Sequence, residues 1–186
     1  VLGNSPVLTT SLNTTDSMER DIRNIIDKWY KASTGDVVEP DEFFKFIAAW
    51  IAFNAVLNYL FSFDREHERM SDYEKITEYN ELPGRKKQHQ RLLENDSAYN
   101  QAVEFILEAD IRDLRDPNYR RNRHDDYSLH NVLHFVRVVR NNLFHGGKSR
   151  TSWRDRNLVK NCLVIVQNLT KYCLLYTSDA ADDVRG

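Results

Sequence analysis

Apolar residues recur along this chain at spacings of three and four, so the pattern predicts a succession of helices that each bury one face. Ile22, Ile25, Ile26 and Trp29 form a first stripe behind the helix-start pair Asp16 and Glu19, and that helix is expected to end by Gly35. Pro40 opens a second helix, at a position where the missing N–H of proline costs little. There Phe43, Ile47, Trp50, Ile51, Asn54, Leu57 and Phe61 repeat at helical spacing, and Phe44, Phe53 and Val56 widen the apolar face. A helix apolar on most sides is a central one, packed by several neighbours. The charged run 64–69 reads as a solvated connection. Ser71 and Glu74 then form a capping box for a third helix that ends before Pro83-Gly84.

A fourth helix is read from Gln88 to about Leu114, stopped by Asp116-Pro117-Asn118, and Tyr119–Asp126 follows as a basic irregular loop. Ser128 is the expected N-cap of the next helix. Leu129, Val132, Leu133, Val136, Val139 and Leu143 form its core face, and Gly146 stands just past its end. The last helix, roughly Trp153–Tyr172, presents Leu158, Cys162, Ile165, Val166 and Leu169. The expected fold is therefore all-α, an up-and-down bundle of about five long helices over residues 16–173. A Ser/Thr/Asn-rich arm over 1–15 precedes it. Residues 174–186 resemble translated sequencing-adaptor read-through and are set aside as a non-native tail, and Val1 in place of Met leads us to expect further residues upstream.

Composition sharpens this picture. The 186 residues suffice for one domain with a sizeable core, and only 6 Gly and 4 Pro disfavour a turn-rich β fold. The formal net charge of −2 does not mark a nucleic-acid binder, but its distribution is uneven: from Arg112 to Arg150 nine Arg or Lys stand against four Asp. A basic segment of that kind suits a polyanionic partner. Cys162 and Cys173 share one predicted helix, too far apart to pair, and lack the spacing of a zinc site. Free thiols suggest a reducing, cytoplasmic setting. No apolar run is read as long enough to span a bilayer.

The candidate chemistry lies within that basic segment. Arg140, Asn141 and His145 fall at the C-terminal end of a predicted helix, just before Gly146-Gly147-Lys148. Asn141 and His145, four residues apart, share a helix face, and His130, His134 and Arg137 lie on nearly the same stripe, which is expected to face solvent or a partner. An arginine can hold a phosphate and stabilise charge on a transferring phosphorus, while an imidazole can give or take a proton near neutral pH. Asn141 could orient either. The same residues also suit a helix surface that closes on a C-capping histidine, and spacing alone leaves both readings open. His130 and His134 have a metal-binding spacing but no third ligand in view, so no metal or other cofactor is assigned. Arg120, Arg121 and Arg123, beside Tyr119 and Tyr127, are candidate backbone contacts for a nucleic acid, as are Arg137 and Lys148. Trp50 and Asn54 lie one turn apart, where the amide needs either a core hydrogen bond or a role in supporting the motif. No phosphate-binding glycine loop, nucleophile elbow or carboxylate pair accompanies them.

The run Arg140-Asn141-Asn142-Leu143-Phe144-His145-Gly146-Gly147-Lys148, with Trp50-Ile51-Ala52-Phe53-Asn54-Ala55 upstream, resembles the HEPN superfamily of helical ribonuclease domains over about Asp16 to Tyr172. The resemblance implies a bundle that forms a homodimer, with two copies of the motif facing each other in one composite site. It implies metal-independent cleavage of RNA by attack of the 2′-hydroxyl on the adjacent phosphate. Arg140 would then stabilise the transition state, His145 transfer a proton and Asn141 assist. It also implies an antitoxin or another partner in a toxin–antitoxin or antiviral defence system. Relatives of a non-catalytic kind bind RNA or protein instead. Gly147 stands where antitoxin-modified members carry a tyrosine, which sets that form of silencing in doubt.

Overall fold

The structure, a computed structural model, describes residues 20, 23–24, 26–27, 30–31, 33–34, 41–61, 70–109, 111, 126–145 and 152–183, with side chains through residue 173. Six helices run through these residues: α1 (Glu42–Phe61), α2 (Asp72–Glu81), α3 (Arg85–Asn95), α4 (Ser97–Glu108), α5 (Leu129–Phe144) and α6 (Trp153–Asp183). Further helical residues lie between 20 and 34, among them Ile26, whose side chain joins the core. The fold is all-α, and no strand occurs among the described residues.

Local chemistry sets most of the boundaries. The Asp41 carboxylate accepts the Phe44 N–H at 2.9 Å and so caps α1. Ser71 and Glu74 complete the expected capping box of α2, with the Glu74 carboxylate accepting the Ser71 N–H at 2.7 Å. The Ser71 N–H and hydroxyl, both donating to the Glu74 carboxylate, hold that carboxyl below its ordinary range. Gly84 turns the chain between α2 and α3 with φ 81°, a left-handed conformation that L side chains rarely adopt. The single helix read from Gln88 to Leu114 is instead two. Asp96 leaves helical geometry, accepts the Tyr99 N–H at 2.9 Å and starts α4, which ends at Glu108. A short polar side chain that can cap a helix competes with its continuation, and here the cap wins.

The core joins all of these elements. α1 lies along α6 in the most extensive contact between helices, and α4 also packs on α6. Leu158, Cys162, Ile165, Val166 and Leu169 of α6 are fully buried, as their spacing predicts. α1 is long and apolar enough to cross a membrane by length and composition, contrary to the sequence reading, yet it is the core helix of this bundle. Its buried face is Phe43, Phe46, Ala48, Ala49, Trp50, Ala52, Phe53, Val56, Leu57 and Phe61. The expected core positions Ile47, Ile51 and Asn54 are only half-buried and Phe44 is exposed. α6 continues past the expected end at Tyr172 to Asp183. Gln167 ties it to the N-terminal helical residues, its amide donating to the Ser33 carbonyl at 3.0 Å.

Candidate functional site

The motif helix α5 begins and ends in different ways. At its start the Ser128 hydroxyl accepts the Asn131 N–H, as the sequence predicts. Immediately before it, the Tyr127 carbonyl accepts a hydrogen bond of 2.6 Å from Nε2 of buried His89 on α3. A carbonyl can only accept, so Nε2 carries the proton, and Nδ1 accepts a hydrogen bond of 2.8 Å from the Tyr99 hydroxyl. Burial holds the His89 imidazole below its ordinary value, while burial first and then Asp96 push the Tyr99 phenol up. One neutral histidine thus ties α3, α4 and the entry to α5 together.

At the other end of α5, the Arg140 guanidinium is held from four sides. Nη1 donates to the Asn141 Oδ1 at 2.9 Å, and Nη2 donates to the carboxylate of Asp72, the first residue of α2. The Trp50 ring lies 4.7 Å from the guanidinium carbon, and the Phe144 ring 5.7 Å from it. Burial lowers the basicity of Arg140, but from an ordinary value of 12.5 it remains a cation. Its Nε is buried without a hydrogen-bond partner. Trp50 thus touches the motif arginine from α1. The Asn54 amide oxygen, one turn on, is buried without a partner.

Asn141 does not share the solvent-facing stripe expected of it. It is 3 % exposed, with its amide oxygen on Arg140 and its Nδ2 buried without a partner. Asn142 is buried as well. α5 packs against α2, α3, α4 and α6, so all but a narrow strip of its surface is covered, and polar residues near its end are covered with the rest. His145 is exposed, as expected; its backbone N–H donates to the Asn141 carbonyl at 3.0 Å. The strip itself lies beneath Tyr73 of α2 rather than open to water. The Tyr73 ring meets His130 and His134 edge-on at 6.2 and 6.0 Å, and the Arg137 guanidinium lies 5.4 Å from its centre. Among the described residues no three His, Cys, Asp or Glu converge on a metal-sized site. Arg120, Arg121, Arg123, Tyr119, Gly146, Gly147 and Lys148 lie outside the described residues.

The structure thus joins Arg140 directly to Asn141 and places exposed His145 at the same helix end. Sequence reasoning missed Asp72, Tyr73 and Phe144 as members of this cluster. Asp72 is an acidic residue in a first helical turn, which the helix dipole already favours, so nothing in its sequence context signals a contact with another helix. Comparison with protein-family models, curated proteins and solved structures finds no match to this chain.

Proposed function

We propose that the chain is a metal-independent endoribonuclease of the HEPN type, acting as a cytoplasmic homodimer in a toxin–antitoxin or antiviral defence setting. The observation that carries the reading is the arrangement at the end of α5: a partly buried, oriented arginine cation beside an exposed histidine. Arg140 has five N–H donors, of which Asn141 and Asp72 take two, and the fork suits the oxygens of a phosphate. In the proposed reaction His145 takes the proton of a ribose 2′-hydroxyl. The 2′-oxygen attacks the adjacent phosphorus, Arg140 stabilises the charge gathering on the non-bridging oxygens, and the bond to the 5′-oxygen breaks. The leaving oxygen needs a proton, which His145 of a second copy supplies if two motifs face each other. The products are a 2′,3′-cyclic phosphate and a 5′-hydroxyl.

A second reading takes its support from the same contacts. Arg140 lies against Trp50 and is paired with Asp72, as an arginine used for architecture also would be. A non-catalytic RNA- or protein-binding module fits that arrangement. The deciding experiment incubates labelled RNA with the protein in EDTA, beside an Arg140→Lys, His145→Ala double variant that keeps a cation against Asp72. The enzyme reading expects cleavage by the wild type alone. Equal cleavage by both proteins contradicts it, and binding without cleavage by either supports the module.

A further inference from the structure

Phe144 and Tyr73 are two of the large apolar side chains that remain exposed, at 57 % and 45 %, and both adjoin the motif. Phe144 is the last residue of α5, next in the chain to His145, with its ring near the Arg140 guanidinium. Tyr73 follows Asp72, the carboxylate that pairs with Arg140, and its ring is braced by His130, His134 and Arg137. Each ring thus has a cation beside it and open surface as well. Phenylalanine and tyrosine also have few rotatable bonds to immobilise, so a ring placed this way can meet a flat ligand at low entropic cost.

We propose that Phe144 and Tyr73 are base-stacking platforms for single-stranded RNA, placed on either side of the Arg140 phosphate position. Attack of a 2′-hydroxyl on its own 3′-phosphate requires the attacking and leaving oxygens in line, so the nucleotides flanking the scissile bond must be splayed and held. Two rings beside the phosphate-binding cation supply that hold, and stacking tolerates any base because every base has a π face. Charge favours the same occupant: Arg137 puts a cation beside Tyr73, and Arg140, though paired with Asp72, keeps further N–H donors for a phosphate. The phosphate position rests on the ribonuclease reading; the stacking does not.

The test is a binding measurement in EDTA, with a fluorescent single-stranded oligoribonucleotide carrying a 2′-O-methyl block against cleavage. Phe144→Ala and Tyr73→Ala are each expected to weaken binding roughly 5- to 100-fold, the range for loss of one stacked base. Phe144→Trp and Tyr73→Phe should bind like the wild type, and a blunt RNA duplex should show no difference among the variants. An oligonucleotide with one abasic position should bind the wild type as weakly as the intact strand binds Phe144→Ala. Wild-type affinity in both alanine variants overturns the proposal even if the protein cleaves RNA. So does absence of binding by the wild type, or a Phe144→Ala protein whose only change in light scattering is from dimer to monomer. Stacking-dependent binding without any cleavage would overturn the ribonuclease reading and leave the platforms standing.

Discussion

His89 and His145 show two uses of one side chain at opposite ends of the same region. His89 is 4 % exposed, and both of its ring nitrogens are committed, one to a carbonyl and one to a phenol. Burial disfavours its charged form and holds the imidazole below its ordinary value. His145 is exposed, and it is anchored through its backbone N–H at the end of α5. Both ring nitrogens of His89 are paired, but the Gln88 amide beside it is buried without partners, as are Arg140 Nε and Asn141 Nδ2 at the other end of α5. A polar group buried unpaired costs on the order of 1–3 kcal/mol. Such costs fall in both regions, so the difference between them lies in exposure: His89 is enclosed, whereas His145 meets solvent, as the proposed chemistry requires.

The sharpest way to break this contrast is to remove each histidine in turn. His145→Ala is expected to lower RNA cleavage about 10²- to 10⁴-fold, the usual contribution of a general acid or base, while its unfolding midpoint in urea stays close to that of the wild type. His89→Ala should do the reverse. It opens a cavity and leaves the Tyr127 carbonyl and the Tyr99 hydroxyl unsatisfied, a loss of roughly 2–4 kcal/mol in urea unfolding, with cleavage falling only as the folded fraction falls. A His89→Ala protein of unchanged stability would remove the basis of the comparison.

Asp72→Asn tests the clasp on Arg140 more gently. The ion pair is partly exposed, so its loss should cost about 1 kcal/mol of stability or less. Steady-state cleavage should fall about tenfold, the loss of about 1.4 kcal/mol of positioning, through kcat rather than KM. The smallest expected effect is a slope. His89 titrates below its ordinary value in the folded chain, so the unfolded chain takes up the proton first as pH falls. Its contribution to stability is therefore intact above about pH 6.5 and is lost as pH falls below that, through the folded-state value. Urea midpoints between pH 5 and 8 should decline on the acid side in the wild type and be flatter there in His89→Gln.

How legible these regions are in the sequence follows from what each depends on. α6 and the caps at Ser71 and Ser128 depend on local periodicity and neighbouring side chains, so their spacing and residue types specify them. α1 is apolar on nearly all sides, so periodicity gives no single face, and Ala48, Ala49 and Ala52 are buried where Ile47 and Ile51 are only half-buried. The break at Asp96 turns on a cap that competes with a helix able to continue, a balance that composition does not reveal. At the candidate site, Arg140 and His145 stand out by type and spacing, and the exposure of His145 matches its place at a helix end. The burial of Asn141 and the reach of Asp72 to Arg140 depend on how α2 crosses α5. That crossing is tertiary, and a polar residue covered by it looks like any surface asparagine.

The most direct measurement is the chemistry of the product ends. Labelled RNA incubated with the wild-type protein in EDTA, with the new termini resolved by mass spectrometry, should yield 2′,3′-cyclic phosphate and 5′-hydroxyl ends. His145→Ala should yield neither. Products ending in 5′-phosphate and 3′-hydroxyl, or cleavage that needs added divalent metal, would contradict proton transfer by His145 and phosphate stabilisation by Arg140.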